Sequence, residues 1–137
     1  MPGHYLLLPV GSAGDTNPFL GIGQALRDRG HDVELLINEH FLPQATRLGL
    51  KARSSGSAAE YESTMQDPKL WDPREGTKVV LGHPSILKVM RLHCDAVREF
   101  WRTHPQGVVL GGTLAFGGRV AQELDGGRYV TLHLQPY

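Results

Sequence analysis

The residues best suited to chemistry lie in one short loop near the start of the chain, Gly11-Ser12-Ala13-Gly14-Asp15. The loop follows a continuous apolar run and precedes a stretch with helical periodicity. Two glycines would let the backbone approach a ligand closely, and the free amides at the start of the helix would favour an anion or a polar group. We therefore expect Gly11, Ser12 and Gly14 to contact a ligand.

Three explanations of this loop compete on its sequence alone. A dinucleotide-binding fingerprint needs G-x-G-x-x-G, whereas this loop has G-x-x-G and runs into Pro18. A P-loop needs G-x-x-x-x-G-K-[ST], and no lysine follows Gly14. In the third explanation the glycines only form a tight turn, and Asp15 only interacts with the helix dipole. The P-loop is excluded, the dinucleotide site is disfavoured, and the turn stays open.

Three residues elsewhere could also line a ligand site. His133 and Gln135 fall at the carboxyl end of the last predicted strand, where ligands of open α/β sheets bind; a structural role in a core or cleft wall is the alternative for His133. Trp71 lies in an irregular stretch without core periodicity, so it could line an apolar pocket or pack that stretch onto the domain. The seven histidines have no H-x-x-x-H spacing and no C-x-x-C partner, so we expect no metal site.

The elements that must position these residues alternate between strands and helices. The strands are predicted at residues 5–10, 32–38, 50–53, 107–110 and 129–134, and the helices at 17–30, 41–48, 85–102 and 113–124. Asn17 is the predicted N-cap of the first helix, with Pro18 at its first position. This alternation predicts a single α/β domain, a Rossmann-like open parallel sheet with helices on both faces.

Two of the helices have apolar faces that we expect to be buried. The residues on these faces are Ile86, Met90, His93, Val97 and Trp101 in one helix and Phe116, Val120 and Leu124 in the other. Residues 54–83 break the alternation, and we expect a surface loop with one short helix near residues 60–65. Long irregular connections in compact domains are usually functional or mobile.

Length and charge exclude several classes of protein. The 137 residues suit one domain, and 14 basic residues balance 14 acidic ones, so the basic surface of a nucleic-acid binder is missing. The single cysteine, Cys94, cannot form an internal disulfide, which indicates a reducing, cytoplasmic environment. No apolar run approaches the ~20 residues of a membrane-spanning helix, and the apolar run near the N-terminus is too short for a signal peptide.

Residues 8–33, which begin LPVGSAGDTNP and end GHDV, resemble the N-terminal domain of GT-B glycosyltransferases of the family 1 and family 28 group. Residues 67–73 (DPKLWDP) are similar to the rhamnosyltransferase B chain of that group. Residues 114–124 (LAFGGRVAQEL), followed by 130–136, resemble the last helix and strand before the linker between the two domains. The similarity covers essentially the whole chain, and the sterol glucosyltransferases belong to the same branch.

The resemblance implies that residues 1–137 are the acceptor-binding, N-terminal half of such an enzyme, without the C-terminal donor-binding domain. It implies metal-independent, inverting transfer from a UDP- or dTDP-sugar to a hydroxyl of a lipid, sterol or other small apolar acceptor, with no cofactor. Asp15 matches the position of the general base. The residues expected to bind the acceptor are Gly11, Ser12, Gly14, Trp71, His133 and Gln135. We expect this chain alone to be inactive.

The sequence departs from part of the family pattern and leaves other functions open. Members with a histidine base orient it with an aspartate near the position of Gly111-Gly112, and this sequence has none there; a carboxylate base needs no such partner. The alternatives are a non-catalytic acceptor-recognising subunit that pairs with a separate donor subunit, and a nucleotide-binding Rossmann or flavodoxin-like module. We also expect self-association through an exposed inter-domain face, and a cytoplasmic location, either free or peripheral at the inner membrane face.

Overall fold

Five short strands form one parallel sheet in the order β3-β2-β1-β4-β5. They are β1 (His4–Leu8), β2 (Asp32–Ile37), β3 (Lys51–Ser54), β4 (Val108–Gly112) and β5 (Arg128–Leu132). The computed structural model describes residues 1–135, so Pro136 and Tyr137, although part of the predicted domain, lie outside the described residues. The chain runs outward from β1 to β3 and then returns to β4 beside β1, so the order of strands reverses between β1 and β4.

The connections between the strands are helical. The α-helices are α1 (Ala13–Asp28), α2 (Leu42–Arg47), α3 (Ala58–Gln66), α4 (Gly76–Gly82), α5 (Pro84–Thr103) and α6 (Phe116–Asp125), and two 3-10 helices span Glu39–Phe41 and Pro68–Trp71. Within residues 1–135, no helix is both long enough and apolar enough to cross a bilayer.

Both faces of the sheet are covered, as the sequence predicts. One face and its helices form a core, the α1 core, made of Leu7, Phe19, Leu20, Val33, Leu35, Ile37, Phe41, Ala45 and Leu50. The opposite face forms the α5–α6 core with Leu6, Leu8, Leu36, Ala96, Val97, Trp101, Val109, Ala115 and Ala121. Neighbouring residues of β1 enter different cores because successive side chains of a strand point to opposite faces. The apolar run that predicts a strand covered on both sides is confirmed.

The start of α1 differs from the prediction. The helix begins at Ala13 with Ser12 as its N-cap, so Asn17 is not the N-cap and Pro18 lies inside the helix. A proline has no N–H to donate, so it removes one helical hydrogen bond. The interaction between Ser12 and Asp15, described below, stabilises the earlier start. The predicted end is confirmed, because Gly30 follows the helix with a positive φ of 86°.

The predicted buried face of α6 is wrong. Val120 is 42% exposed and Leu124 61% exposed, whereas Gly117, Gly118 and Ala121 are buried. A Cβ atom at Gly117 would overlap the backbone carbonyl of Met90 on α5, so α6 packs through its smallest residues. In α5 the prediction is largely confirmed, because the buried residues are His93, Ala96, Val97 and Trp101.

The segment predicted as a loop with one short helix near residues 60–65 is mostly helical, and α3 is that predicted helix. It contains α3, the 3-10 helix Pro68–Trp71 and α4, and we call residues 58–82 the helical cap. Within it, only Gly76 is buried. The sparse apolar periodicity reflects this position, because the cap lies over the carboxyl edge of the sheet and Tyr61 is its residue that packs against the α1 core.

Candidate functional site

Two neighbouring cavities open at the carboxyl edge of the sheet. The first, about 370 Å³, lies beyond β1, β2 and β3 and beneath the helical cap and the start of α5. The second, about 340 Å³, lies beyond β4 and β5. The walls of both cavities include Val10, Asp15, Leu114 and Gln135. Asp15 therefore stands where the cavities meet, next to the reversal of strand order at which open α/β sheets bind ligands.

The carboxylate of Asp15 is held by the residue that begins its own helix. Its Oδ2 accepts hydrogen bonds from the backbone N–H of Ser12 at 2.9 Å and from the Ser12 hydroxyl at 3.0 Å. Its Oδ1 forms no hydrogen bond with any other residue of the described chain. One oxygen is thus used to orient the side chain, and the other remains able to accept a proton or a hydrogen bond from a ligand.

Gly11 makes room for that carboxylate. Its φ of 129° is rarely adopted by residues with a side chain. A Cβ atom at this position would also overlap the Asp15 carboxyl group. Ser12 and Gly11 both line the first cavity, whereas Gly14 is exposed in the first turn of α1 and is in the wall of neither cavity.

The first cavity has a largely apolar wall with a tryptophan at its mouth. Trp71 is 67% exposed, and its indole N–H donates a hydrogen bond to the Met65 carbonyl at 3.2 Å, which orients the ring. The other apolar residues of the wall outside the loop after β1 are Met65, Leu70, Val80, Ile86, Val89 and Leu114. Such a wall suits an apolar molecule with few polar groups.

Tyr61 and His83 line this cavity too, and the sequence analysis missed both. Burial first, and the nearby negative charge of Asp15 second, raise the pKa of Tyr61. Tyr61 lies in the segment predicted as a loop, where no periodicity indicates which side chains face inward. The one available signal was an aromatic residue in the short helix expected near residues 60–65.

His83 is the N-cap residue of α5. Its Nδ1 lies 3.2 Å from the backbone nitrogen of Ser85 and 2.6 Å from the Ser85 hydroxyl oxygen. A backbone N–H can only donate, so Nδ1 accepts and the ring proton is on Nε2. The His83-Pro84 pair, which the sequence marks as a break, is therefore an N-cap followed by a proline in the first turn.

The second cavity contains His133 and Gln135, as the position of the last strand predicts. The Nδ1 atom of His133 lies 3.4 Å from the hydroxyl of Thr113. At Gly111 a side chain has no space, because a Cβ atom would overlap Tyr129, whose hydroxyl donates to the Ala115 carbonyl at 3.1 Å. This contact gives a physical reason why no acidic side chain stands at Gly111 to orient a base.

The part of the chain that the structure describes holds no group of three or more histidine, cysteine, aspartate or glutamate residues suited to a metal ion. The chemistry available at the junction is that of one oriented carboxylate, with a tyrosine hydroxyl nearby. Such a pair can bind a hydroxyl group and accept its proton.

Comparisons of sequence lead to glycosyltransferases. No protein-family model matches the chain. A sterol 3-beta-glucosyltransferase of Pichia angusta is 28% identical over 82 residues, which are 60% of this chain and 6% of that protein. An O-mycaminosyltylonolide 6-deoxyallosyltransferase of Streptomyces fradiae is 40% identical over 62 residues, which are 45% of this chain and 13% of that protein. The chain therefore spans a small part of the curated relatives it matches.

Comparisons of structure agree. The glycosyltransferase SnogD from Streptomyces nogalater superposes with a TM-score of 0.67 at 18% identity, over 99% of this chain and 35% of that chain. SsfS6 of Streptomyces sp. SF2575, solved with thymidine diphosphate, gives a TM-score of 0.65 at 22% identity, over 96% of this chain and 38% of that chain. These neighbours are GT-B glycosyltransferases, so the fold is shared with part of that architecture, and the resemblance found in the sequence is confirmed.

Proposed function

We propose that this chain is the acceptor-binding half of an inverting, metal-independent glycosyltransferase. The observation that carries the proposal is the position of Asp15, which lines both the apolar first cavity and the neighbouring second one and uses only Oδ2 in its hydrogen bonds with Ser12. The similarity to glycosyltransferases of known activity supports the same conclusion.

In the proposed reaction the acceptor lies in the first cavity with its hydroxyl at Asp15. The hydroxyl oxygen attacks the anomeric carbon of the sugar from the side opposite the leaving group, so the configuration inverts. The bond to the nucleoside diphosphate breaks as the new glycosidic bond forms, and the diphosphate takes the bonding electrons. The proton moves to Oδ1 of Asp15, which Ser12 holds in a fixed orientation for this step.

The acceptor is a small apolar molecule with a hydroxyl group. The wall of the first cavity is mainly aliphatic and aromatic, with Trp71 at its mouth. The curated relatives act on a sterol and on O-mycaminosyltylonolide, by their names, so we propose a sterol-like or macrolide-like ring system. Gly11, Ser12 and Trp71 contact this ring system in the first cavity, Gly14 approaches it from the first turn of α1, and His133 and Gln135 meet it from the second cavity.

The sugar donor would bind to a second domain or a partner chain. The solved neighbours extend well beyond the part that this chain matches, which covers 35% and 38% of two of them. We therefore propose that this chain alone has no turnover. Incubation with UDP-glucose, dTDP-glucose and cholestanol tests the proposal, and sustained formation of a steryl glycoside would contradict it. The proposed location is the cytoplasm, at the inner membrane face when the acceptor is a lipid.

Acceptor binding by the isolated chain tests the function directly. Because Trp71 is exposed at the cavity and Trp101 is buried, a ligand in the first cavity should change the emission of Trp71 alone. We expect saturable changes with cholestanol or O-mycaminosyltylonolide, and none with NAD or FMN. Binding of NAD or FMN without binding of either acceptor would instead support a nucleotide-binding module.

The role of Asp15 needs an enzyme with both halves. In a two-domain enzyme reconstituted with this chain, we expect Asp15→Asn to lower kcat by about 10²–10⁴-fold, the usual contribution of a general base, while donor binding is unchanged. Asn keeps an oxygen for Ser12 and replaces the proton acceptor with an NH₂ group. Asp95→Asn, which removes an exposed carboxylate from α5, is the matched control. An unchanged kcat in Asp15→Asn would exclude the base assignment.

A further inference from the structure

Tyr61 is a polar residue of the first cavity that the proposed reaction does not use. It is the fourth residue of α3 and lines the cavity with its side chain half-buried. Its hydroxyl forms no hydrogen bond with any residue in the range 1–135. A tyrosine hydroxyl in an apolar wall usually has a hydrogen-bond partner, and here that partner would be a ligand.

The aromatic ring of Tyr61 packs against two other rings, on the side of the α1 core. It meets Phe41 edge-on, with ring centroids 5.2 Å apart and planes at 70°, and it lies 4.7 Å from the ring of His40. Phe41 belongs to the α1 core, and His40 pairs with Glu62 on α3 at 3.4 Å. The hydroxyl is therefore carried by a ring braced against the folded core, which is the kind of support that precise ligand contacts need.

Tyr61 and Asp15 line the same cavity, the first one. The negative charge of Asp15 contributes to the raised pKa of Tyr61, after burial, and the titrating atom is the phenolic oxygen itself. Because the group stays protonated at neutral pH, it can donate a hydrogen bond to a ligand. Asp15 Oδ1 can only accept one.

We propose that Tyr61 and Asp15 together form a clamp that selects a neutral alcohol. The acceptor hydroxyl donates its proton to Oδ1 of Asp15, and its oxygen receives the hydrogen bond of Tyr61. This inference rests on the proposed function and deepens it. A hydrocarbon satisfies neither group, a ketone has no proton for Asp15, and a carboxylate is repelled by it, so the clamp favours alcohols over all three.

The test compares two ligands of the same skeleton, cholestanol and cholestane, on the full 137-residue chain. Each is delivered from cyclodextrin, and binding is followed by Trp71 emission. We expect Tyr61→Phe, which keeps the aromatic contacts, to weaken cholestanol binding about tenfold, the effect of one lost hydrogen bond. Cholestane binding should stay the same. Tyr5→Phe removes a hydroxyl from the opposite end of β1 and should change neither affinity.

The possible outcomes separate the two proposals. Cholestanol binding that is equal in the unmodified chain and in Tyr61→Phe overturns the clamp and leaves the proposed function standing. Equal weakening of cholestanol and cholestane binding also overturns it, since it would show a loss of packing rather than of a hydrogen bond. Failure of the unmodified chain to bind cholestanol contradicts the proposed function and the clamp with it. A thermal unfolding midpoint equal to that of the unmodified chain shows that Tyr61→Phe is folded.

Discussion

The sheet and the helical cap are held in place by different interactions. Three consecutive leucines of β1, Leu6 to Leu8, are fully buried between the two cores. The cap buries only Gly76 and is attached by polar contacts, such as the one from the Ala58 N–H to Glu39 Oε2 at 3.1 Å, and by the packing of Tyr61 against Phe41. The comparison indicates that the sheet supplies the stability, while the cap supplies the cavity wall and can open at a lower free energy.

A leucine-to-alanine substitution in each region gives the largest expected difference in the free energy of unfolding. Leu35 is fully buried in β2, and Leu81 on α4 is 50% exposed. We expect Leu35→Ala to lower the free energy of unfolding by about 4 kcal/mol, through lost burial and a new cavity. Leu81→Ala should change it by less than about 0.5 kcal/mol. Urea denaturation measures both, and similar losses would show that the cap is as integral as the sheet.

His93, a buried residue of α5, should make the free energy of unfolding depend on pH. His93 is fully buried, neither ring nitrogen has a hydrogen-bond partner among the described residues, and burial lowers its pKa from 6.5 to about 4. The unfolded chain thus takes up this proton at a higher pH than the folded one. The free energy of unfolding should therefore fall as pH drops from 6.5 to 4, by about 3 kcal/mol in total.

Removing the imidazole tests this pH effect. In His93→Leu the part of the pH dependence between pH 6.5 and 4 that comes from this residue should disappear. Denaturation curves at half-unit pH intervals for both proteins give the comparison. The same slope in both proteins would assign the acid sensitivity to other groups.

Two glycines of α4 test the packing of the cap itself. A Cβ atom at Gly76 would overlap the Leu70 carbonyl, whereas one at Gly82 would meet nothing within 4 Å. We expect Gly76→Ala to destabilise the cap by about 2 kcal/mol, and Gly82→Ala to be neutral or stabilising by up to about 0.5 kcal/mol. Amide hydrogen exchange in α4 and Pro68–Trp71 measures this locally. Slower exchange in Gly76→Ala would contradict the close contact.

The smallest expected effect concerns the electrostatic influence of Asp15, in the loop after β1, on Tyr61 of the cap. Since the charge of Asp15 raises the pKa of Tyr61, Asp15→Asn should lower that pKa toward the value that burial alone produces. A ¹³C-tyrosine NMR titration detects the change, and Asp95→Asn should leave the titration where it is. A titration unaffected by Asp15→Asn would mean that the cap does not bring Tyr61 to the carboxylate.

Much of the fold is predictable because the strands have simple patterns. Apolar runs such as the one through Leu6 to Leu8 mark strands covered on both sides, and the helices between them imply parallel pairing. The buried face of α6 was predicted wrongly, because periodicity favours the large residues Val120 and Leu124. The actual contact uses Gly117 and Gly118, whose lack of a side chain allows α5 and Tyr129 to come close.

The site was only partly predictable for a related reason. Gly11, Ser12 and Asp15 stand together in the sequence, and their loop follows a recognisable strand, so their place at the carboxyl edge could be inferred. Tyr61 lines the same cavity as Asp15 only because the cap lies over this edge of the sheet. Its own sequence has no periodicity that indicates such a position.

The parallel α/β sheet, the loop that carries Asp15 and the similarity to glycosyltransferases can all be inferred without a structure, because each depends on residues that are near one another in the chain. The buried face of α6, and the side chains of the cap that line the cavity beside the carboxylate, became known only from the three-dimensional structure. These depend on contacts between distant segments, such as Tyr61 with Phe41 and Gly117 with Met90. Steric fit and burial choose such contacts, and local propensity does not encode them.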